Sequence, residues 1–280
     1  MVREIYEYCI LLQSTYPFEK NGGVGMVSIN QRLNQLVINL SRTDEQNINS
    51  VVDKVANVMR ADTRLKIAET WVGGSVGKGT NIRGQSDIDL VFLLSHRQSI
   101  ANEEALFELV RGILTDISEI TPETPYKATK IKVSGIEVDV LVTKLGLEGR
   151  IGEAQYSKRH VKEILDEGTL FTNTARILKY WKILPDNIPE DEYISSFDIE
   201  VILGYVFKNK EPENFYEAVK TFFDYVAGSR LQNQLSFPPG GTPLVHRSFN
   251  FGGKTFFIDQ ARKAQKYLRN NPPDLSFLDI

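Results

Sequence analysis

Three aspartates are the residues of this chain best suited to chemistry. Asp87 and Asp89 stand two apart in Ser86-Asp87-Ile88-Asp89, at the polar start of the apolar run Leu90-Val91-Phe92-Leu93-Leu94. Asp139 lies fifty residues after Asp89, within Ile136-Glu137-Val138-Asp139-Val140-Leu141-Val142. Residues two apart on a strand project to the same face, so Asp87 and Asp89 are expected side by side. A carboxylate between apolar strand neighbours is costly unless positive charge neutralises it. Three that converge raise one another's pKa until cations enter. Two divalent ions about 3.5–4 Å apart relieve that repulsion and define a reaction. One activates an attacking ribose hydroxyl, and the other neutralises a leaving pyrophosphate. Asp87 and Asp89 are expected to bridge both ions, with Asp139 binding the ion nearest the hydroxyl or acting as base. The expected cofactor is Mg²⁺, two ions, with Mn²⁺ able to substitute.

A loop precedes these acids. Gly73-Gly74-Ser75-Val76-Gly77-Lys78-Gly79-Thr80 reads as flexible, and Ser75 lies twelve residues before Asp87. Gly74 and Ser75 are expected to offer backbone N–H groups and a hydroxyl to triphosphate oxygens, glycine allowing close approach. Two other readings of the loop fail. A Walker A loop needs Gly at position 72 and Ser or Thr at 79, where this chain has Val72 and Gly79. A dinucleotide fingerprint needs a third Gly at position 82, which is Ile82. Taken singly, Ser86-Asp87 also reads as a turn or cap and Asp139 as an edge residue. Their order and the elements beneath them favour the chemical reading.

The elements that must position these groups follow from periodicity. Ile48, Val51, Val52, Val55 and Val58 recur at helical spacing over Asn47–Met59, and the first 70 residues read as mostly helical around Gly22-Gly23. Ser86–Leu94 reads as a strand buried on both faces. Ala101–Ile117 reads as a helix, and Tyr126–Val133 and Ile136–Val142 as strands joined at Ser134-Gly135. After Gly149 only helices follow: Lys158–Leu165, Thr172–Ile183, Phe197–Phe207, Phe215–Ala227 and Asp259–Arg269. Pro185 and Pro189 punctuate them, as do Gly and Pro over Phe237–Pro243. The expected fold is α+β: a mixed-sheet catalytic lobe with N-terminal helices over residues 1–148, a helical substrate-binding lobe over 149–280, and a cleft between.

The run Gly73-Gly74-Ser75-x-x-Lys78-Gly79-Thr80-x-x-Arg83-Gly84-x-Ser86-Asp87-x-Asp89-Leu90-Val91 resembles the 2′-5′-oligoadenylate synthetase family. That family lies within the DNA polymerase beta-like nucleotidyltransferases, beside cyclic GMP–AMP synthase, bacterial cyclic-oligonucleotide synthases, poly(A) polymerases and CCA-adding enzymes. Gly-Ser and Asp-x-Asp are common to all of these, whereas Lys78-Gly79-Thr80 and Arg83-Gly84-x-Ser86 are more particular to the oligoadenylate synthetases. Arg176-Ile177-Leu178-Lys179-Tyr180-Trp181 resembles the family's Arg-x-x-Lys-x-Trp helix. The resemblance implies that Lys179 contacts the donor triphosphate and that Arg176 faces the same cleft. Ser195-Ser196-Phe197-Asp198 resembles the next helix start, which implies Ser196 on phosphate and Phe197 stacked on the donor base. The animal synthetases tend to carry Gln at the position of Ser196. Without the resemblance, Trp181 reads as core, and Ser195 or Ser196 as a helix cap.

The resemblance implies a template-independent nucleotidyltransferase acting on ATP, with other NTPs as further candidate substrates and 2′-5′-oligoadenylate as the first expected product. A cyclic di- or trinucleotide comes second, an inactive RNA- or protein-binding scaffold third, and an RNA-tailing enzyme fourth. Double-stranded RNA is a conceivable activator but not the favoured one, since it demands clustered Lys and Arg. Lys54 and Lys78 suit that role, whereas Val72, Val161 and Leu165 stand where basic residues are expected. The runs Lys127/Lys130/Lys132 and Arg262/Lys263/Lys266/Arg269 read as solvated faces.

Composition is in keeping. The chain has 280 residues, 41% hydrophobic and 25% charged, with a net charge of −3, so any polyanion site must be local. One cysteine, Cys9, excludes an internal disulfide and a Cys-rich zinc site, including the zinc insertion of vertebrate cyclic GMP–AMP synthase. Cys9 itself reads as a buried small hydrophobe. No apolar stretch long enough to span a bilayer and no signal-peptide layout is seen, so the cytoplasm is the expected compartment.

Overall fold

Alternation along five strands decides which side chains enter the core and which face the chemistry. The structure is a computed structural model that describes residues 28–41, 45–84, 87–100, 102–117, 119–120, 128–144, 150–184, 194–228 and 251–280. Cys9, Gly22-Gly23, Ser86, Tyr126, Lys127, Pro185, Pro189 and the Phe237–Pro243 segment lie outside the described residues. The described residues divide into two compact units.

The first unit, within residues 45–162, is built on a sheet. Its strands are β1 (Ile67–Val72), β2 (Ile88–Leu94), β3 (Glu119–Ile120), β4 (Thr129–Val133) and β5 (Ile136–Lys144), in the order β1-β2-β5-β4-β3. The central pair β2/β5 is parallel, and the other pairs are antiparallel. Ser134 and Gly135, with φ of 53° and 82°, form the two-residue β4–β5 turn, the left-handed geometry that such tight hairpins require.

On one face Ile88, Leu90, Phe92 and Leu94 of β2 join Val138 and Val140 of β5 and Ile131 and Val133 of β4. Two helices supply the other half of this core, α2 (Glu45–Ala61) and α4 (Glu103–Leu114). From them come Val51, Val52, Val55 and Met59, then Leu106, Val110 and Leu114. The Asn102 side chain caps α4 by accepting from Ala105 N at 2.8 Å. Trp71, Val91 and Leu93, with Leu141, occupy the opposite face.

The second unit combines α1 (Ile29–Ser41) with α6 (Gly168–Ile183), α7 (Ser196–Lys210), α8 (Phe215–Gly228) and α9 (Phe251–Leu268). Trp181 is buried here, edge-on to Phe223 with ring centres 4.8 Å apart, so the core reading of Trp181 holds. Helix α1 packs on α6 and α8, and Asn30 Oδ1 accepts from Tyr216 N at 2.9 Å. No described helix is long and apolar enough to cross a membrane.

Three expectations differ from this picture. Helix α1 packs with the helical unit rather than the sheet unit, because Leu33, Leu36, Val37 and Leu40 bury one face of it there. The sheet unit runs past residue 148 to Lys162, because the end of α5 (Arg150–Asp166) is tied to β1. Lys158 Nζ lies 2.6 Å from Glu69 Oε2 and 5.7 Å from the centre of the Trp71 ring. Finally, the stretch leading to the glycine loop is strand β1, not helix. It is an edge strand with Ala68 and Glu69 exposed, so its own pattern is weak and pairing with β2 decides its state.

Candidate active site

Asp89, second residue of β2, is the register partner of Asp139 on the parallel neighbour β5. Both occupy the parity opposite to the helix-covered core, so they share the face that holds Trp71 and Leu141. Adjacent strands lie about 4.8 Å apart, which sets the two carboxylates flank to flank. Burial pushes the Asp89 carboxyl up to about 6. The Asp139 charge adds to the rise, Lys78 opposes it, Asp87 adds and Lys130 opposes. Asp139 is also raised by burial, against the pull of Lys130 and with a further push from Asp87.

Asp87 sits one residue before β2 and is exposed. Its charge reaches both other acids. Among the described residues, no three carboxylate, imidazole or thiolate groups are drawn together closely enough to hold a metal ion. The expected convergence is therefore realised as one adjacent pair, Asp89 and Asp139, with Asp87 as an outlying third charge.

The glycine loop is anchored to the same spot by backbone hydrogen bonds. Gly73 N donates to Asp89 O at 2.7 Å, and Gly77 N to Gly73 O at 2.8 Å. Gly74–Gly77 form a one-turn helix, α3, in which Val76 and Gly77 are buried. Glycine is mandatory at two positions. A Cβ on Gly74, whose φ is +55°, would fall 1.6 Å from Asp89 Oδ2, and one on Gly77 would fall 2.1 Å from Val72 O. Ser75 begins the helix beside Gly74, and its carbonyl accepts from Thr80 N at 2.9 Å.

Lys78 is only 8% exposed, and its charge acts on Asp89. It stands near Asp89, and its burial differs from the exposure that a basic platform for RNA requires. Lys130, read from sequence as part of a solvated face, lies opposite Asp139 in the β4/β5 register. Its Nζ is 3.5 Å from Asp139 Oδ2. The signal was present: a two-residue turn at Ser134-Gly135 pairs 133 with 136, and stepping outward by three pairs 130 with 139.

The remaining candidates belong to the helical unit. Lys179 and Arg176 are buried on α6. Lys179 Nζ lies 2.6 Å from Glu200 Oε1, with the two side chains 5% and 0% exposed, so its charge already has a carboxylate partner. Arg176 Nη1 donates to Asn173 Oδ1 at 2.5 Å. Ser195, not Ser196, caps α7: its hydroxyl accepts from Asp198 N, and the Asp198 carboxylate accepts from Ser195 N, a reciprocal capping box. Ser196 is exposed in the first turn, and Phe197 beside it is half-buried.

Residues 52–170 match the Nucleotidyltransferase domain family, a span that contains the glycine loop and all three acids. The cyclic AMP-AMP-AMP synthase of Escherichia coli (strain MS 115-1) is 24% identical over 59% of this chain. The match covers 58% of that relative's own length. The solved structure of E. coli MS115-1 CdnC in its complex with HORMA-deltaN superposes with a TM-score of 0.66 at 18% identity, covering 89% of this chain and 95% of that one. The Elizabethkingia meningoseptica CdnE cyclic dinucleotide synthase, solved with GTP and Apcpp, gives 0.64 at 16% identity, covering 88% and 100%. The Cid1 poly(U) polymerase, bound to Mg 3′-dATP, gives 0.69 at 14% identity, covering 89% and 97%. The fold is thus the mixed α+β nucleotidyltransferase fold.

Proposed function

We propose that this nucleotidyltransferase joins ribonucleoside triphosphates into a cyclic di- or trinucleotide, releasing one pyrophosphate for each bond formed. The observation that carries the reading is the Asp89–Asp139 register pair with Gly74 seated on the Asp89 carboxylate. The sequence alone favoured linear 2′-5′-oligoadenylate. The similarity to a cyclic AMP-AMP-AMP synthase and to a CdnE cyclic dinucleotide synthase supports a cyclic product at least as well, and we prefer it. Lys78-Gly79-Thr80 and Arg83-Gly84 keep the oligoadenylate product as the second reading.

Carboxylate oxygens alone suit a hard cation, Mg²⁺ or Mn²⁺, and a like-charged, half-buried pair with raised pKa gains most from one. Asp87, Asp89 and Asp139 would hold two such ions. When bound, they would lower the pKa of the attacking hydroxyl and neutralise charge on the triphosphate. The first-turn N–H groups of Gly74 and Ser75 lack acceptors within so short a helix, which leaves them for phosphate oxygens. Asp139 takes the proton of the acceptor hydroxyl. The hydroxyl oxygen bonds to the α-phosphorus as the bond from phosphorus to the bridging oxygen breaks, and pyrophosphate departs with that electron pair. Ser196 and Phe197 remain our candidates for the donor nucleotide. Arg176 and Lys179 are assigned to its triphosphate only where that anion outcompetes their present partners.

The test is to incubate the whole chain with Mg²⁺ and α-labelled ATP, GTP, CTP and UTP, singly and mixed, and to measure pyrophosphate. Products are then treated with phosphatase and a 3′-5′-specific nuclease. A phosphatase-resistant product is expected. A linear ladder with phosphatase-labile ends and nuclease-resistant linkages would replace this reading with oligoadenylate synthesis. Label appearing only on an added RNA primer would make the chain a tailing enzyme. No pyrophosphate from any NTP, with or without RNA duplex, would make it a binding scaffold.

A further inference from the structure

Lys130 has no part in the chemistry above, yet it stands in line with it. Register places Asp89 opposite Asp139, and Asp139 opposite Lys130, so the three form one row across β2, β5 and β4. Thr129, Ile131 and Val133 of β4 are buried toward the helix-covered core, and alternation therefore turns Lys130 to the acidic face. Its ammonium lies 3.5 Å from Asp139 Oδ2, with the two side chains 40% and 24% exposed. A partly solvated pair of this length adds little to stability. Its consequence lies in which cation Asp139 serves.

We propose that Lys130 is a resident counter-cation of the transfer site, which occupies Asp139 in the metal-free enzyme and competes with divalent metal for that carboxylate. The proposal rests on the reading of Asp87, Asp89 and Asp139 as metal ligands. With Lys130 on one oxygen of Asp139, a divalent ion on the other meets a positive charge within several ångströms, and that repulsion is only partly screened. The enzyme therefore keeps its acidic site neutralised at low metal and closes the cation site when metal, helped by a triphosphate, displaces the ammonium. Lys132 is the built-in comparison. It has the same parity on β4 but lies opposite Glu137, one ladder step farther from Asp89.

The experiment is Mn²⁺ binding to the nucleotide-free whole chain, followed by calorimetry and by the electron paramagnetic resonance of free Mn²⁺. Lys130→Met is expected to bind Mn²⁺ about three- to tenfold more tightly than wild type. Lys130→Arg, which keeps the charge, stays within about twofold of wild type, and so does Lys132→Met. The rise in melting temperature on adding Mn²⁺ is expected to be larger for Lys130→Met, and the Mg²⁺ concentration giving half-maximal pyrophosphate release lower. Unchanged or weaker Mn²⁺ binding by Lys130→Met overturns the competition while leaving the proposed reaction standing. An equal gain from Lys132→Met overturns the specific role of Lys130. A wild-type chain that neither binds Mn²⁺ nor turns over any NTP overturns both readings together.

Discussion

Asp89 is a residue whose removal should abolish the proposed activity and strengthen the metal-free fold. In the folded chain its carboxyl is raised from 3.8 to about 6, by burial first and by Asp139 next. A carboxyl that is harder to ionise folded than unfolded costs stability once it is ionised. The loss begins as pH rises past the unfolded value and is complete above the folded one. The rise corresponds to about 3 kcal/mol at pH 8 and about 1 kcal/mol at pH 4.5, where the folded group is still largely protonated. Asp89→Asn, which keeps shape and removes charge, should therefore be more stable than wild type in EDTA at pH 8, by about 1–3 kcal/mol once neighbouring charges readjust. The gain should shrink on acidification. The assay is urea denaturation of both proteins in EDTA at the two pH values, repeated at pH 8 with excess Mg²⁺. Mg²⁺ should stabilise wild type and close the gap. An Asn variant no more stable than wild type at pH 8, or a gain that does not fall with acid, would refute the claim that charge crowding at this strand pair is what a cation relieves.

Other outcomes follow from the same geometry. Gly74→Ala should lower pyrophosphate release by more than about a hundredfold, because the new Cβ falls on Asp89 Oδ2 in a left-handed backbone, whose strain costs about 1–2 kcal/mol in a melting experiment. Asp139→Ala should leave the circular dichroism spectrum intact and reduce turnover to background. Lys179→Met should destabilise the helical unit by about 3–5 kcal/mol in urea, because it removes the ion-pair partner of the buried Glu200 carboxylate. The double change Lys179→Met with Glu200→Leu should recover most of that loss. A nucleotide-affinity defect with no stability loss in Lys179→Met would instead favour the phosphate role implied by family resemblance.

Most of the sheet lobe was legible because its signals are local. The apolar run after Asp89 and the alternation around Asp139 fix two central strands, and their parity fixes the face on which the acids stand. Ser134-Gly135 is a turn signal that sets the β4–β5 register. What was not legible depends on partners distant in sequence. Edge strand β1 has too weak a pattern to declare itself, and only β2 makes it a strand. Gly73–Thr80 is glycine-rich in the manner of a mobile loop, yet it folds into a helical turn tied by backbone hydrogen bonds to Asp89 and within itself. By sequence Lys78 suits a basic platform and Lys179 a triphosphate contact, yet each is buried with a carboxylate nearby that tertiary structure supplies.

Lys78 and Lys130 of the sheet unit share one device, and Lys179 repeats it separately within the helical unit. In each case a lysine in a motif-bearing or apparently solvated segment lies close to a carboxylate that the sequence places far away. Lys78 acts on Asp89, Lys130 meets Asp139, and Lys179 meets Glu200. The triphosphate site proposed for the sheet unit needs positive charge that is held locally, since the chain's net charge is −3. Setting each lysine near a carboxylate holds positive charge there without a large unpaired field. Binding energy then depends on exchanging protein anions for phosphate, not on attracting phosphate to bare cations. Such a site should discriminate strongly by the charge of its ligand: a triphosphate can displace carboxylates that a monophosphate cannot. Nucleoside monophosphates should accordingly be poor competitors of NTP turnover, with inhibition constants at least about tenfold above the KM of the matching NTP. Equal competition by the monophosphate would place the recognition in the base and ribose, and would remove the charge-exchange argument.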